Sequence, residues 1–279
     1  MAGGAGATEN ESMRVERQAV EAAFAQPLTE ELLRCSGVTP GMRVLALGRD
    51  LAEIALLVAE RVGRTGAVIA LHEDPYVVEK AQRRAADEGF EQIGFRAESL
   101  EQACVGVRVD AVVGRFFLTH ESDPVQAIRR AASMVRDGGR IIFQEWHYGS
   151  ILWAETSAWP QLPLYRTFAH WCIEGLRARS AHLDMGLRLA NAFTEAGLPL
   201  PMTRTDLRTV HGGDSLGYSF FEAALRELLP AIERRDLAGA LDVEVDTFAQ
   251  RLERETTAAG GHVFLPLQVG AWARATSKL

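Results

Sequence analysis

Residues 41–66, GMRVLALGRDLAEIALLVAERVGRTG, decide the fold. The apolar run from Met42 to Leu47 predicts a buried strand, Gly48 a tight turn, and the helical spacing of the apolar residues after it a helix. A strand that passes through a glycine turn into a helix directs backbone N–H groups beyond its carboxyl end. Because residues 67–71 form another apolar run, this stretch is predicted to be the first βαβ unit of a parallel sheet.

The alternation of strands and helices continues as far as Trp146. Asp74-Pro75 and Asp123-Pro124 each predict a helix start, with an N-cap residue followed by proline at the first helical position. Further strands are predicted at 93–97, 110–117 and 140–146, with a turn at 137–139 that ends the second of these helices. This pattern is typical of an α/β fold with a doubly wound parallel sheet.

After Trp146 the alternation stops. Residues 147–180 are rich in aromatic side chains, and a helix is predicted at 183–196. A strand at 202–210 is predicted to form a hairpin with a closing strand at 262–275, so the last strand of a mostly parallel sheet would be antiparallel. Helices are predicted near 217–234 and 243–259.

These predictions give one domain over residues 13–279. Residues 13–40 would form a helical cover made of two short helices broken at Pro27, preceded by a disordered tail at 1–12. Residues 147–180 and 214–258 would be helical lid insertions that line the substrate pocket over the carboxyl edge of the sheet.

Composition narrows the class of protein. The net charge of −7 and the lack of basic runs argue against nucleic acid or an anionic membrane surface as a partner. Cys35, Cys104 and Cys172 are too widely spaced for a disulfide framework or a zinc site, which favours a cytoplasmic protein. No run of about 18 apolar residues predicts a membrane span. The expected partner is a small-molecule substrate, with a homodimer or a partner protein as a further expectation.

From residue 41 to Trp146 the sequence resembles the class I S-adenosylmethionine (AdoMet) dependent methyltransferases, and most of all the ubiquinone/menaquinone type that acts on small molecules. Asp110, the DGG turn at 137–139 and the strand IIFQEW at 141–146 carry this likeness together with the sheet pattern. The resemblance implies a Rossmann-like fold, AdoMet as cofactor and an N-terminal helical segment that covers it.

The cofactor signature departs from the pattern of that family. Members usually show D-x-G-x-G-x-G in the first turn, and here the aligned residues are Ala46, Gly48, Asp50 and Ala52. Glycines at these positions let the backbone approach the methionine part of AdoMet. Of the three glycine positions, only Gly48 is kept in this sequence. His72 stands where the family has an acidic residue for the ribose hydroxyls, and a neutral histidine has at most one acceptor nitrogen.

Other residues keep the cofactor hypothesis open. Glu98-Ser99 matches the acidic-small pair that contacts adenine in the family, and Arg49 is placed to pair with a ligand carboxylate. Asp50 and Glu53 also match a capping box, in which the helix would satisfy its own first N–H groups. The candidate cofactor-binding residues are Gly48, Arg49, Asp50, His72, Glu73, Glu98, Ser99 and Arg115.

Candidate catalytic residues follow the fourth and fifth strands or lie on the aromatic segment. Histidine is the natural acid or base near neutral pH, and a carboxylate can orient it or act as a base itself. The candidates are His120, Glu145, His147, Tyr148 and His170, and each of them is equally open to a structural role. No spacing typical of a metal site occurs, so no metal is expected.

Three functions remain open on the sequence. The first is a small-molecule tailoring enzyme whose AdoMet site has eroded and which performs non-methylating acid–base chemistry, such as a cyclisation, elimination or isomerisation. The second is an AdoMet-dependent O-, N- or C-methyltransferase. The third is a non-catalytic, methyltransferase-like partner subunit.

Overall fold

The computed structural model describes residues 5–104, 106–155, 162–179, 181–234 and 244–275. The helices are α1 (Ala5–Ser36), α2 (Leu51–Val62), α3 (Pro75–Asp87), α4 (Pro124–Ser133), α5 (Pro163–Arg177), α6 (Met185–Glu195), α7 (Ser215–Arg234) and α8 (Phe248–Ala258). The strands are β1 (Arg43–Gly48), β2 (Ala67–His72), β3 (Ile93–Ala97), β4 (Val109–Arg115), β5 (Val135–His147), β6 (Met202–Asp206), β7 (Thr209–Val210), β8 (Val263–Phe264) and β9 (Leu267–Arg274).

The chain forms two compact units. One, the sheet unit, comprises residues 26–146, 184–206 and 268–279, and the other, the helical unit, comprises residues 1–25, 147–183 and 207–267. The sheet unit holds a seven-stranded sheet in the order β3-β2-β1-β4-β5-β9-β6. The β1–β2, β2–β3, β1–β4 and β4–β5 pairs are parallel, whereas β6 and β9 are antiparallel. The predicted α/β fold, with a mostly parallel sheet and an antiparallel last strand, is confirmed.

The core of the sheet unit explains why these strands form. Residues 44–47 of β1 are at most 1% exposed, as expected for a strand that is covered on both faces. Glycine is needed at position 114 of β4, since an added Cβ would lie 2.3 Å from the ring of Phe143 on β5. At the amino end of β4, Asp110 accepts hydrogen bonds from the backbone N of Arg43 (2.7 Å) and from Nε of Arg136 (2.5 Å). These bonds tie the neighbouring strands together.

Four predictions about these elements are wrong. Pro27 does not break the N-terminal segment, because α1 is one helix through it, and Leu28, Leu32 and Leu33 of this helix are buried in the core of the sheet unit. Packing of these leucines compensates for the hydrogen bond that proline removes. Residues 5–12 of the predicted disordered tail lie in α1, and residues 1–4 lie outside the described residues.

The other two differences concern strands. The DGG turn at 137–139 lies within β5, which begins at Val135, and the helix before it ends at Ser133. The backbone N of Gly138 donates to the oxygen of Ala275, so this turn is held beside the end of β9. The predicted strands 202–210 and 262–275 are each split, and the short pieces β7 and β8 pair with one another in a separate two-stranded sheet.

A row of buried polar side chains crosses the sheet unit. Nη1 of Arg115 donates to Oγ1 of Thr29 (3.3 Å), which in turn donates to Oε1 of Gln144 (2.6 Å). Nε2 of Gln144 then donates to Oε1 of Gln268 (2.7 Å). All four side chains belong to residues at most 2% exposed, and the row joins α1, β4, β5 and β9.

The helical unit has an aromatic core. Phe168 of α5 packs edge-to-face on Phe221 of α7 (ring centroids 5.2 Å apart) and lies 5.7 Å from Phe248 of α8. The hydroxyl of Tyr165 donates to the backbone oxygen of Phe264 (2.7 Å), and burial raises the pKa of this tyrosine. These aromatic side chains of the predicted lid therefore stabilise the fold of this unit.

The predicted lid segments 147–180 and 214–258 belong to the helical unit, apart from residues 156–161, 180 and 235–243, which lie outside the described residues. Their placement over the carboxyl edge of the sheet, and the single domain over 13–279, stay predictions. Among the helices of the described ranges, none is long and apolar enough to cross a membrane.

Candidate functional site

A cleft of about 160 Å³ lies at the carboxyl ends of β1 and β2 and beside the residues that follow β3 and β4. Strand β1 has β2 on one side and β4 on the other, so the strand order reverses at this point of the sheet. Crevices of this kind are where open α/β sheets bind their ligands. The cleft is lined by Leu47, Gly48, Arg49, Leu71, His72, Glu73, Glu98, Ser99, Leu100, Glu101, Phe117, His120 and Glu121.

Gly48 closes the first turn against β4. A Cβ at this position would lie 2.8 Å from the backbone oxygen of Arg115 and 3.1 Å from Oδ1 of Asp50. Contacts under 3.0 Å with backbone force the strands apart, so glycine is required here by the packing of β1 on β4. This requirement holds whether or not a cofactor binds.

The predicted capping box does not form. Asp50 is the N-cap residue of α2, but in the described structure its side chain accepts no capping hydrogen bond. Its carboxylate forms an ion pair with Nη2 of Arg115, and the two side chains are 3% and 1% exposed. Glu53 pairs instead with Arg84 of α3. The long-range ion pair takes the carboxylate because a buried guanidinium without a counter-charge costs more than a helix start without a side-chain cap.

His72 ends β2 and begins the next turn. Its Nδ1 accepts a hydrogen bond from the backbone N of Asp74 (3.0 Å), and the Asp74 side chain accepts from the backbone N of Tyr76 (2.9 Å) to cap α3. The cap at Asp74 confirms the predicted helix start. Because Nδ1 is the acceptor, the proton of the neutral ring lies on Nε2, which is then a donor.

Arg49 and His120 meet at the cleft, although 71 residues separate them in the chain. Nη1 of Arg49 lies 2.9 Å from Nε2 of His120. A guanidinium has no acceptor, so Nε2 must accept in this contact and the neutral ring carries its proton on Nδ1. The turn after β1 and the turn after β4 are joined by this bond.

Carboxylates dominate the charge of the cleft. Glu73, Glu98, Glu101 and Glu121 line it, and Nη1 of Arg96 lies 3.5 Å from Oε1 of Glu98. Burial, together with the nearby Glu101 and Glu73 carboxylates, raises the pKa of Glu121 to about 7. The cleft therefore carries acidic groups of which one exchanges protons near neutral pH.

Glu145 lies behind the cleft rather than in it. It is fully buried on β5, and its Oε1 accepts from the backbone N of Phe117 (3.0 Å) and of Leu118 (2.7 Å). Its Oε2 accepts from the backbone N (3.2 Å) and Oγ1 (2.7 Å) of Thr119. Burial raises the pKa of Glu145 to about 7, against the opposing effect of these four hydrogen bonds.

The sheet unit thus brings together seven of the predicted site residues: Gly48, Arg49, His72, Glu73, Glu98, Ser99 and His120. Asp50 and Arg115 are buried and do not line the cleft. The candidates His147, Tyr148 and His170 belong to the helical unit. In that unit His147 is buried near Trp153 (ring centroids 6.1 Å apart), and His170 is exposed on α5.

Sequence reasoning missed the acidic residues Glu101 and Glu121 and the apolar residues Leu100 and Phe117. A signal for Glu121 and Phe117 was present, because both flank the turn that carries His120 at the end of β4. Glu101 follows the Glu98-Ser99 pair within the same loop, so the acidic character of the whole loop was also visible in the sequence.

The model of a methyltransferase domain family matches residues 39–196, which is more than half of the 279 residues. The chain belongs to this methyltransferase family. The predicted membership of the class I methyltransferases, with its seven-stranded sheet, is thereby confirmed, and AdoMet is the cofactor that the family leads one to expect. No group of three or more His, Cys, Asp or Glu residues in the described ranges could hold a metal ion.

The methyltransferase likeness extends to individual proteins. Over 138 residues the chain is 30% identical to the aklanonic acid methyltransferase DauC of Streptomyces sp. (strain C5), a match that covers 49% of this chain and 62% of DauC. The chain therefore spans less than two thirds of the length of this relative.

Solved structures share the fold. A candidate methyltransferase from Bacillus halodurans C-125 superposes with a TM-score of 0.58 at 15% identity, covering 89% of this chain and 99% of that one. The [4+2]-cyclase SpnF superposes with a TM-score of 0.51 at 16% identity, covering 90% of this chain and 81% of SpnF. At this level of identity the likeness concerns the fold alone.

Proposed function

We propose that this chain is an enzyme that acts on a small molecule and performs acid–base chemistry on a methyltransferase fold whose AdoMet site has been altered. The observation that carries the proposal is the buried ion pair between Asp50 of the first turn and Arg115 at the end of β4. The relationship to DauC, a methyltransferase named for aklanonic acid, supports a small organic molecule as the substrate.

The cleft matches the adenosine part of AdoMet only in part. Glu98 and Ser99, which match the pair that contacts adenine in the family, line it. At the ribose position, however, His72 already uses Nδ1 to accept from Asp74. A neutral histidine with Nδ1 engaged has no acceptor left for two ribose hydroxyls, so it cannot replace the acid of the family.

The amino-acid part of AdoMet fits less well. Asp50 stands where the family has its second glycine, and its carboxylate is committed to Arg115 beneath the turn. Gly48 is packed against the backbone of β4, where a side chain would meet the oxygen of Arg115. The residues present therefore do not fit the whole cofactor.

Groups suited to proton transfer lie in the same cleft. His120 is exposed there with its Nε2 fixed by Arg49, and Glu121, with a pKa of about 7, is its neighbour in the chain. A carboxyl group whose pKa is raised to about 7, beside an imidazole in the same cleft, is suited to general acid–base catalysis. We assign the proton-transfer role to His120 and Glu121.

A second function, AdoMet-dependent methyl transfer, is favoured by one observation. Four carboxylates line the cleft, whereas Arg49 is the only lysine or arginine among the described residues that line it, and it is engaged with His120. A negative cleft suits the positively charged sulfonium of AdoMet. The relationship to DauC points in the same direction.

Titration calorimetry with AdoMet distinguishes the two functions. Under the first proposal the protein binds AdoMet no more tightly than about 1 mM, which corresponds to about 4 kcal/mol. A micromolar dissociation constant would reject the first proposal and support methyl transfer.

A rebuilt site is the matched control. The triple variant His72→Asp, Asp50→Gly and Arg115→Met restores an acid and a glycine and removes the cation that Asp50 neutralises. It should bind AdoMet at least about tenfold more tightly than the unaltered chain, with folding checked by circular dichroism. Equal and weak binding by both proteins would mean that these positions do not control the cofactor.

A further inference from the structure

We propose that Glu145 is a positioning residue, which holds the turn that carries Phe117, His120 and Glu121 into the cleft and takes no part in the chemistry itself. This inference rests on the proposed function only in treating the cleft as the active site. The geometry behind it lies wholly within the sheet unit.

Three successive residues of β5 hold four successive residues after β4. The backbone oxygen of Gln144 accepts from the backbone N of Phe116 (2.9 Å), and the ring of Trp146 stacks on the ring of Phe116 (centroids 4.9 Å apart, planes 8° apart). Between them, the Glu145 carboxylate takes the backbone N–H groups of the next three residues, 117–119. The turn is therefore held from one side at every residue.

The backbone of this segment is under strain. Phe116 has φ +52°, and it is the only non-glycine residue with a positive φ in the described ranges. For residues other than glycine and asparagine, a positive φ costs of order 1–3 kcal/mol. Such a conformation is kept only where the surrounding structure fixes it. The contacts from Gln144, Glu145 and Trp146 supply that constraint.

Glu145 is placed to position and not to react. It is 0% exposed, both of its oxygens accept hydrogen bonds from the turn, and it is not among the residues that line the cleft. The residues that reach the cleft depend on Glu145 for their position. The backbone N of Phe117 donates to Glu145 directly, and His120 follows Thr119, which donates to Glu145 twice. Without the carboxylate, three N–H groups in a strained segment would lose their acceptor.

The test uses the full chain without any ligand. Glu145→Gln replaces one acceptor oxygen by a donor group that faces N–H groups, whereas Thr119→Val removes only the hydroxyl bond to Oε2. Amide hydrogen exchange of residues 117–119 should accelerate at least about tenfold in Glu145→Gln and by less in Thr119→Val. The ¹⁵N shifts of the His120 ring should move as well, because its contact with Arg49 depends on the turn.

Thr256→Val is the matched control. Thr256 is a fully buried threonine of the helical unit whose hydroxyl donates to the oxygen of Leu252 (2.7 Å). This variant should lose stability while exchange at 117–119 and the His120 signals stay unchanged. The positioning role is rejected if Glu145→Gln leaves amide exchange at 117–119 and the His120 shifts as they are in the control. It is also rejected if Glu145→Gln does not fold and Thr119→Val changes neither of these two readouts. Neither readout depends on AdoMet or on turnover, so failure of the proposed function would be seen separately, in the calorimetric titration.

Discussion

Arg115 and Asp50 lie 65 positions apart in the chain and form an ion pair with side chains that are 1% and 3% exposed. The pair joins the end of β4 to the start of α2. Desolvation of two charges offsets most of their attraction, so such a pair adds little net stability, but either member alone is a buried charge without compensation.

Breaking this pair should be costly and non-additive. Arg115→Met or Asp50→Asn alone should lower the free energy of unfolding by about 3–5 kcal/mol, because each leaves the other charge buried. The double variant should lose clearly less than the sum of the two. Chemical denaturation of the four proteins gives the coupling energy, and additive losses would show that the two side chains do not depend on each other.

Gly48 should not tolerate a side chain. Gly48→Ala places a Cβ 2.8 Å from the Arg115 oxygen, and the overpacking should cost about 1–3 kcal/mol of unfolding free energy. Gly213→Ala is the control, since a Cβ there meets nothing within 4 Å, and it should leave the melting temperature nearly unchanged. Equal melting temperatures for both variants would contradict the close approach of β1 and β4.

Stability should fall as the pH rises from about 5 to about 7. Burial and the nearby acidic groups raise the pKa of Glu121 to about 7 in the folded protein, so the folded state keeps a proton that the unfolded chain has already lost. The free energy of unfolding therefore decreases through this window and levels off above it. Glu121→Gln should make the profile shallower, whereas the exposed control Glu91→Gln should not. If the free energy of unfolding instead rises between pH 5 and 7, the carboxyl of Glu121 is not protonated in the folded state.

The contact between Arg49 and His120 should be visible in the spectrum of the ring. Arg49→Met removes the donor to Nε2, so the ¹⁵N shift of that nitrogen should change. Arg84→Met is the matched control, because Arg84 pairs with Glu53 and Glu88 on the helices and not with a histidine. If both variants leave the His120 signals in place, the two side chains do not meet in solution.

Much of the fold could be predicted because its signals are local. The buried apolar runs of β1 and β2 and the Asp-Pro pairs before α3 and α4 specify their elements within a few residues. The side chain of Asp123 caps α4 by accepting from Gln126 N (2.9 Å), as its sequence context predicts. Local chemistry of this kind needs no knowledge of distant partners.

The site was predictable only in part, because distant partners decide it. Asp50 and Glu53 satisfy the local pattern of a capping box, but Arg115 and Arg84 compete for their carboxylates from other elements. Glu145 looked like a candidate base on sequence, and its four hydrogen bonds come from a turn that lies more than 25 residues earlier. Pairings across such distances leave no trace in a single sequence.

The hydrogen bonds of the buried row from Arg115 through Thr29 and Gln144 to Gln268 can point in only one direction. It begins at a guanidinium, which has donors and no acceptor, so every later hydroxyl and amide must donate away from Arg115. A chain of groups that can relay a proton must be able to reverse its polarity, and this one cannot. The buried row inside the sheet unit is therefore an insulator for protons, although it is made of polar groups along its whole length.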